Sequence, residues 1–256
     1  MNILYSIPIH SCPECVRQLC DGILFFDKTA IIILHVSSSE SISTFDYIKN
    51  DKILINPTQF ETNWGWDFTR IHVSNYLYVK DNIEISHVIF LTSNTLILRN
   101  PYEYIKNNDA AFSEHQLNIN NKLTPPLLVT KEQIGWGGEF LESQEYLNLL
   151  RELKSKDMYG CIIDGCFVNS TIMDKICYFY YKYFKDCDFH HSLEERIIPT
   201  IACNVSKKIT ESSLLLRNQN LNSFKNLIDN NKVVFNKRIE RDMENEIRKY
   251  YNTIIY

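Results

Sequence analysis

The chain of 256 residues is 45% hydrophobic and 23% charged, enough apolar material for one sizeable core and ordinary for a globular protein. A formal net charge of -4 denies it the broad basic face that nucleic acid as main partner would demand. No apolar run reaches the roughly 18 residues of a membrane span. The opening MNILYSIPIH has no basic leader region, so the eight irregularly spaced cysteines read as reduced thiols of a cytoplasmic protein, at most one resting on the inner face of a membrane.

The N-terminal half alternates apolar runs with helical patterns. Ile3 to Ile9 is a short run rich in β-formers. Ser11-Cys12-Pro13 supplies a cap and first turn for a helix over Glu14 to Phe26. Ala30 to Val36 is continuously apolar, as in a strand buried on both faces. After a polar loop at Ser37 to Ser43, Lys52 to Asn56 reads as a third strand. Thr69 to Val79 fits a helix, and Ser86 to Leu98 a strand with a polar break at Ser93-Asn94-Thr95. Such βαβ succession predicts an α/β fold, a mainly parallel central sheet with helices on both faces. Ligands of these sheets sit beyond the carboxyl ends of the strands, where His10, Ser37 and Thr92 to Thr95 fall.

The second half is less regular. Asn118 to Pro126 reads as loop, Glu142 to Lys154 as helix, and Tyr159 to Asn169 as a Gly-punctuated strand region. Thr171 to Phe184 is an aromatic-rich helix with Asn169-Ser170 as its cap, its rings expected in the core. Ser192 to Ile201 reads as a short helix, and Lys237 to Ile255 as a charged, partly helical tail. No internal repeat and no flexible linker divides the chain, so residues 1–256 are expected to form one domain.

Four constellations carry chemistry. Cys12-Pro13-Glu14-Cys15 is a CxxC between strand and helix, readable as a redox pair, as half a zinc site or as packing thiols. Asp186-Cys187-Asp188, followed by His190 and His191, offers oxygen ligands for Mn²⁺ or Mg²⁺, or is a solvated loop. In SLEERIIPT, Glu194 and Glu195 begin a helix. There Glu195 is either a general base or the partner, three residues on, of a capping box opened by Ser192, and spacing alone favours the cap. Lys237, Arg238 and Arg241 form a basic group suited to a leaving diphosphate, interleaved with Glu240, Asp242 and Glu244 as on a solvated helix.

The order of these segments, from Ile3 to about Tyr250, resembles the core-2/I-branching β-1,6-N-acetylglucosaminyltransferase-like family. ILYSIPIH and IIILHVSSSE look like that family's first βαβ unit, which ends in an Ile-His-Val-Asp type motif. WGWDFTRIHVSNYLYVKD looks like its Trp-Ser-Arg-Val-x-Ala helix, and HVIFLTSNTLILRNPYEYI like the strand that follows. DGCFVNSTIMDKI is similar to its Gly-Ser-x-x-Phe-x-x-Ser segment, SLEERIIPTI to its Ser-Pro-Asp-Glu-x-x-x-x-Thr segment, and FNKRIERD to its basic C-terminal segment.

The resemblance implies a GT-A-like fold, inversion at the anomeric carbon and no metal or other cofactor. Its partners would be a nucleotide-sugar donor, a UDP-sugar first, and a glycan or glycolipid acceptor, as in bacterial surface polysaccharide synthesis. Residues 1–110 would form the nucleotide-sugar-binding half, and 111–256 the acceptor-binding and catalytic half with the basic C-terminal segment. Glu195 would be the base; His10, Ser37, Arg70, Lys237, Arg238 and Arg241 would serve the donor; Glu114 and Trp136, the latter in a Gly135 to Gly138 stretch, would face the acceptor. Two positions depart from the pattern: Ser37 stands where the family has Asp, leaving Glu40 as the nearest acid, and Leu193 stands where it has Pro. A metal-dependent transferase using Asp186 and Asp188, or a non-catalytic homologue that binds glycan or nucleotide, are the other readings.

Overall fold

The computed structural model describes residues 2–62, 68–112, 127–128, 140, 142–155, 158–187, 192–212, 214–216, 220–229 and 233–256. Its strands in chain order are β1 (Asn2–Ile9), β2 (Ala30–Val36), β3 (Ile53–Ile55), β4 (Ile85–Phe90), β5 (Leu96–Ile97), β6 (Ala110–Phe112), β7 (Leu127–Leu128), β8 (Tyr159–Gly160), β9 (Phe167–Asn169), β10 (Ile209–Glu211), β11 (Leu214–Leu216) and β12 (Phe235–Lys237). The helices are α1 (Pro13–Phe26), α2 (Thr69–Val79), α3 (Tyr102–Ile105), α4 (Gln144–Leu153), α5 (Ser170–Phe179), α6 (Glu194–Val205), α7 (Leu221–Asp229) and α8 (Glu246–Ile255).

A seven-stranded sheet in the order β10-β6-β9-β4-β1-β2-β3 forms the centre. β1 pairs in parallel with both β2 and β4, and β2 with β3. Only β9 runs against its neighbours, β4 and β6. Side chains alternate between two apolar layers, as the pleat requires. Leu4, Ile33, Val88 and Phe90 face one layer with residues of α2, α4, α5 and α6. Ile3, Tyr5, Ile7, Ile32, Leu34 and Ile89 face the other, with Val16, Leu19 and Ile23 of α1. The predicted α/β sheet with both faces covered is therefore present. The polar break after Phe90 is more than a break: Leu96 and Ile97 leave the central sheet and pair with β12 in a second sheet, β11-β12-β5. β7 and β8 pair separately.

Three local expectations need correction. The Ser192 carbonyl accepts from the Glu195 N–H at 3.1 Å, but its side chain makes no cap among the described residues. Leu193 occupies the cap position of α6 in helical geometry, with no side-chain cap, so the capping box is not made. Cys12, at the cap position of α1, also makes no side-chain cap, and its backbone is left-handed with φ 53°. The aromatic helix is α5 followed by a π-helical turn at Tyr180–Phe184. It buries Phe179, Tyr180 and Phe184 but exposes Tyr178 and Tyr181, so only part of its rings is core. The cap on α5 is as expected, with Asn169 accepting from the Ile172 N–H at 2.9 Å.

Candidate active site

β1 lies between β2 and β4, so the chain crosses from one side of β1 to the other. In an open α/β sheet, that point creates a crevice at the carboxyl ends of the strands. His10 follows β1, Ser37 follows β2, and the turn Leu91 to Thr95 follows β4. β12 is drawn to the same place by pairing with β5, and the Ile239 N–H donates to the Asn94 carbonyl at 3.1 Å. The C-terminal basic segment thus comes to lie against the end of the central sheet.

No carboxylate occurs in the Thr92 to Thr95 sequence, yet one is present in space. Asp164 sits in a turn closed by the Cys166 N–H on the Ile163 carbonyl, with Gly165 at φ 69°. A positive φ at the third residue of a turn is where glycine is favoured. Gly165 N–H donates to the Phe90 carbonyl at 2.7 Å and Phe90 N–H to that of Cys166 at 3.0 Å, which fixes the turn on the end of β4. Asp164 is buried; it accepts from Thr92 Oγ1 at 2.6 Å and forms an ion pair with the Lys237 ammonium.

Glu195 completes this group from α6. Pro199 lacks the N–H that would bond the Glu195 carbonyl within the helix. That carbonyl instead accepts from the Cys161 N–H at 3.1 Å, which ties the first turn of α6 to the segment leading into the Asp164 turn. Burial pushes the Glu195 carboxyl up to about 7. The Arg196 charge opposes the rise, Asp164 adds to it and Lys237 subtracts. Its neighbour Glu194 is buried and accepts from the Phe68 N–H at 3.1 Å, which assigns it to the scaffold.

On the other side of the Thr92 to Thr95 turn stand His10 and Arg241. Arg241 Nε donates to Ser93 Oγ at 3.1 Å. Burial holds His10 below its ordinary value, helped by Arg241 and opposed by Glu40. Arg238 is exposed with a left-handed backbone, φ 67°. Ser37 is buried, and its hydroxyl accepts from the Thr62 N–H at 3.2 Å and from Ser39 Oγ at 3.0 Å. The Arg70 guanidinium lies 4.7 Å from the centre of the Phe60 ring, which stacks at 5.3 Å on His35. Arg70 Nε is buried without a hydrogen-bond partner among the described residues.

The site residues predicted from sequence that are described lie around the strand ends, four of them in two groups. Glu195 and Lys237 meet at Asp164, while His10 and Arg241 meet beside Ser93; Ser37 and Arg70 belong to the adjoining end of β2 and start of α2. Glu114, Trp136 and the Gly135 to Gly138 stretch lie outside the described residues, as do Asp188, His190, His191, the Trp64 to Asp67 segment and the Asn118 to Pro126 loop. Asp186 is exposed and stands 3.8 Å from Lys185. Among the described residues, no three His, Cys, Asp or Glu side chains cluster as metal ligands.

No protein-family model matches the sequence, and neither does any curated protein. Among solved structures, the chain is similar to that of a galactosyltransferase, LgtC, in complex with donor and acceptor sugar analogs. The two are 10% identical over 100% of this chain and 95% of that one, with a TM-score of 0.43. Overlap that loose carries no argument about this chain's chemistry.

Chemically, the arrangement holds a half-buried carboxyl that exchanges its proton near neutrality, beside an ammonium and a guanidinium. The first can accept a proton from a hydroxyl, and the cations can take up negative charge. Asp164 was missed from sequence. Its only signal is the Asp-Gly pair, which marks a turn; its partners Thr92 and Lys237 are 72 and 73 residues away. No helix among the described residues is long and apolar enough to cross a membrane.

Proposed function

We propose that this chain is an inverting, metal-independent glycosyltransferase of GT-A-like fold, related to the core-2/I-branching family, that moves a sugar from a nucleotide-sugar donor to a glycan acceptor. A single observation carries this reading: Glu195, with its carboxyl raised to about 7, shares one strand-end crevice with Lys237 and the basic segment behind it. Glu195 would accept the acceptor hydroxyl proton while that oxygen attacks C1 of the donor sugar. As the new bond forms, the bond from C1 to the diphosphate oxygen breaks on the opposite face, inverting the centre. Lys237, Arg238 and Arg241 would take up the diphosphate charge, the task a divalent cation performs in metal-dependent transferases.

The donor nucleotide, with UDP the first choice, would lie along the ends of β1 and β2, against His10, Arg70 and the loop that the Ser37 hydroxyl braces. Glu114 and Trp136 remain the acceptor proposal, and synthesis of a bacterial surface polysaccharide the proposed setting, in the cytoplasm or at the inner membrane face. The test is a panel of UDP-, GDP-, CMP- and dTDP-sugars assayed for hydrolysis and transfer with EDTA present. One donor consumed at full rate in EDTA supports the reading. Turnover abolished by EDTA and restored by Mn²⁺ contradicts metal independence, and no turnover with any donor contradicts the enzyme.

A further inference from the structure

The CxxC segment is not absorbed by that chemistry, and its geometry is specific. Cys12 and Cys15 are free thiols whose sulfurs approach to 2.7 Å at the N-terminus of the fourteen-residue α1. Two non-bonded sulfurs prefer a wider separation, so this pair sits nearer to bonding distance than to packing distance. Cys12 is partly exposed and Cys15 buried, the asymmetry of an attacking and a resolving thiol. Cys12 also carries the left-handed backbone, φ 53°, that non-glycine residues rarely adopt.

A second, independent observation points the same way. Arg248 of α8 is fully buried, its Nη1 donates to Gln18 at 2.7 Å, and its Nη2 has no hydrogen-bond partner among the described residues. Its guanidinium acts electrostatically on both Cys12 and Cys15. Burial pushes the Cys15 thiol up to about 12, its contact with Cys12 adds to the rise and the Arg248 charge opposes it, so the attack falls to the more exposed Cys12. Cys12 Sγ also touches the Arg241 carbonyl at 3.5 Å, so the pair adjoins the basic segment.

We propose that Cys12 and Cys15 form a thiol–disulfide exchange site for small-molecule disulfides, and that its state is transmitted to the Lys237 to Arg241 segment through Cys12. The Cys12 thiolate attacks one sulfur of a glutathione-type disulfide, whose S–S bond breaks; one thiolate leaves and takes up the proton that Cys12 gave. The Cys15 sulfur then displaces the second small thiol from Cys12, again with proton transfer to the leaving group. Two protein thiols are oxidised and one small disulfide is reduced to two thiols. Oxidation removes the Cys12 S–H that donates to the Arg241 carbonyl at 3.5 Å, which loosens the basic segment at that end.

The experiment equilibrates the full chain in glutathione buffers from reducing to oxidising, then alkylates and maps the peptides, with amide hydrogen exchange on both forms. The expected result is loss of two of the eight alkylatable thiols, a Cys12–Cys15 link, and several-fold faster exchange at the amides of residues 237–241. Cys12→Ser and Cys15→Ser should each abolish the link. If both sulfurs stay alkylatable across the whole range, the exchange site is refuted. A link formed with unchanged exchange at residues 237–241 refutes the transmission. Neither readout depends on sugar transfer, so the outcome stands apart from that of the donor panel.

Discussion

Glu195 is where burial and charge meet, and its surroundings set a pH signature. As a base it works only when ionised, so the rate should rise with pH to a midpoint near 7 and then level off, measurable as a pH–rate profile. Stability should move the other way. Unfolded, the carboxyl ionises at its ordinary 4.5, whereas in the fold it holds its proton to about 7. Between those values the folded state binds the extra proton, so stability falls as pH rises through the window. Glu195→Gln should therefore melt higher than wild type at about pH 8 and much like it near 4.5, read by thermal denaturation.

Asp164 tests the same group from the opposite side. Its charge raises Glu195 and pairs with Lys237. Asp164→Asn should shift the activity midpoint to lower pH and, by leaving the half-buried Lys237 ammonium without its carboxylate, cost roughly 1–3 kcal/mol in denaturant unfolding. An unchanged midpoint would mean that Asp164 is mere scaffold. Lys237 and Glu195 were legible as candidates through the order of their segments, since the spacing of SLEERIIPT alone favours a cap. Asp164 was not, since its role comes from long-range pairing. The capping box at Ser192 was legible but wrong: Leu193 takes helical backbone angles, which moves the start of α6 and leaves the Ser192 side chain out of register.

Elements show the same division. Ala30–Val36 and Thr69–Val79 coincide with their sequence readings because local pattern decides them: a continuous apolar run, and a helical stripe with Ile71, Tyr76 and Val79 buried. β5 and β9 were less legible, being two and three residues long and positioned by partners far along the chain. The α1–α8 contact is tertiary as well. A Cβ at Gly22 would come within 2.2 Å of the Tyr251 hydroxyl, which itself donates to the Ile97 carbonyl at 2.5 Å. Gly22→Ala should therefore destabilise by about 1–3 kcal/mol, seen as a lowered melting temperature, and Tyr251→Phe on that background should recover part of it. At the α5 start, Asn169→Ala removes the acceptor for Ile172 N–H and should cost about 1 kcal/mol.

At the scale of the whole molecule, a mainly parallel sheet covered on both faces follows from alternating strands and helices, and a ligand site at the strand ends follows from such a sheet. That much could be reasoned from the sequence. What could not is the return of the C-terminal segment: β12 joins β5, and Lys237 reaches Asp164 across 73 residues. A crevice assembled from both ends of the chain should respond as a unit. Binding of a nucleoside diphosphate to the folded state should raise the melting temperature by mass action, and Lys237→Ala with Arg241→Ala should remove most of that rise.

The most direct measurement is the pH–rate profile of sugar transfer from the donor identified in EDTA, for wild type and Glu195→Gln. The account predicts a wild-type rate rising to a plateau with its midpoint near 7, and a variant slowed by about 10²–10⁴-fold with that limb gone, while it still binds the donor. A Glu195→Gln protein as fast as wild type, with the same pH dependence, would contradict it.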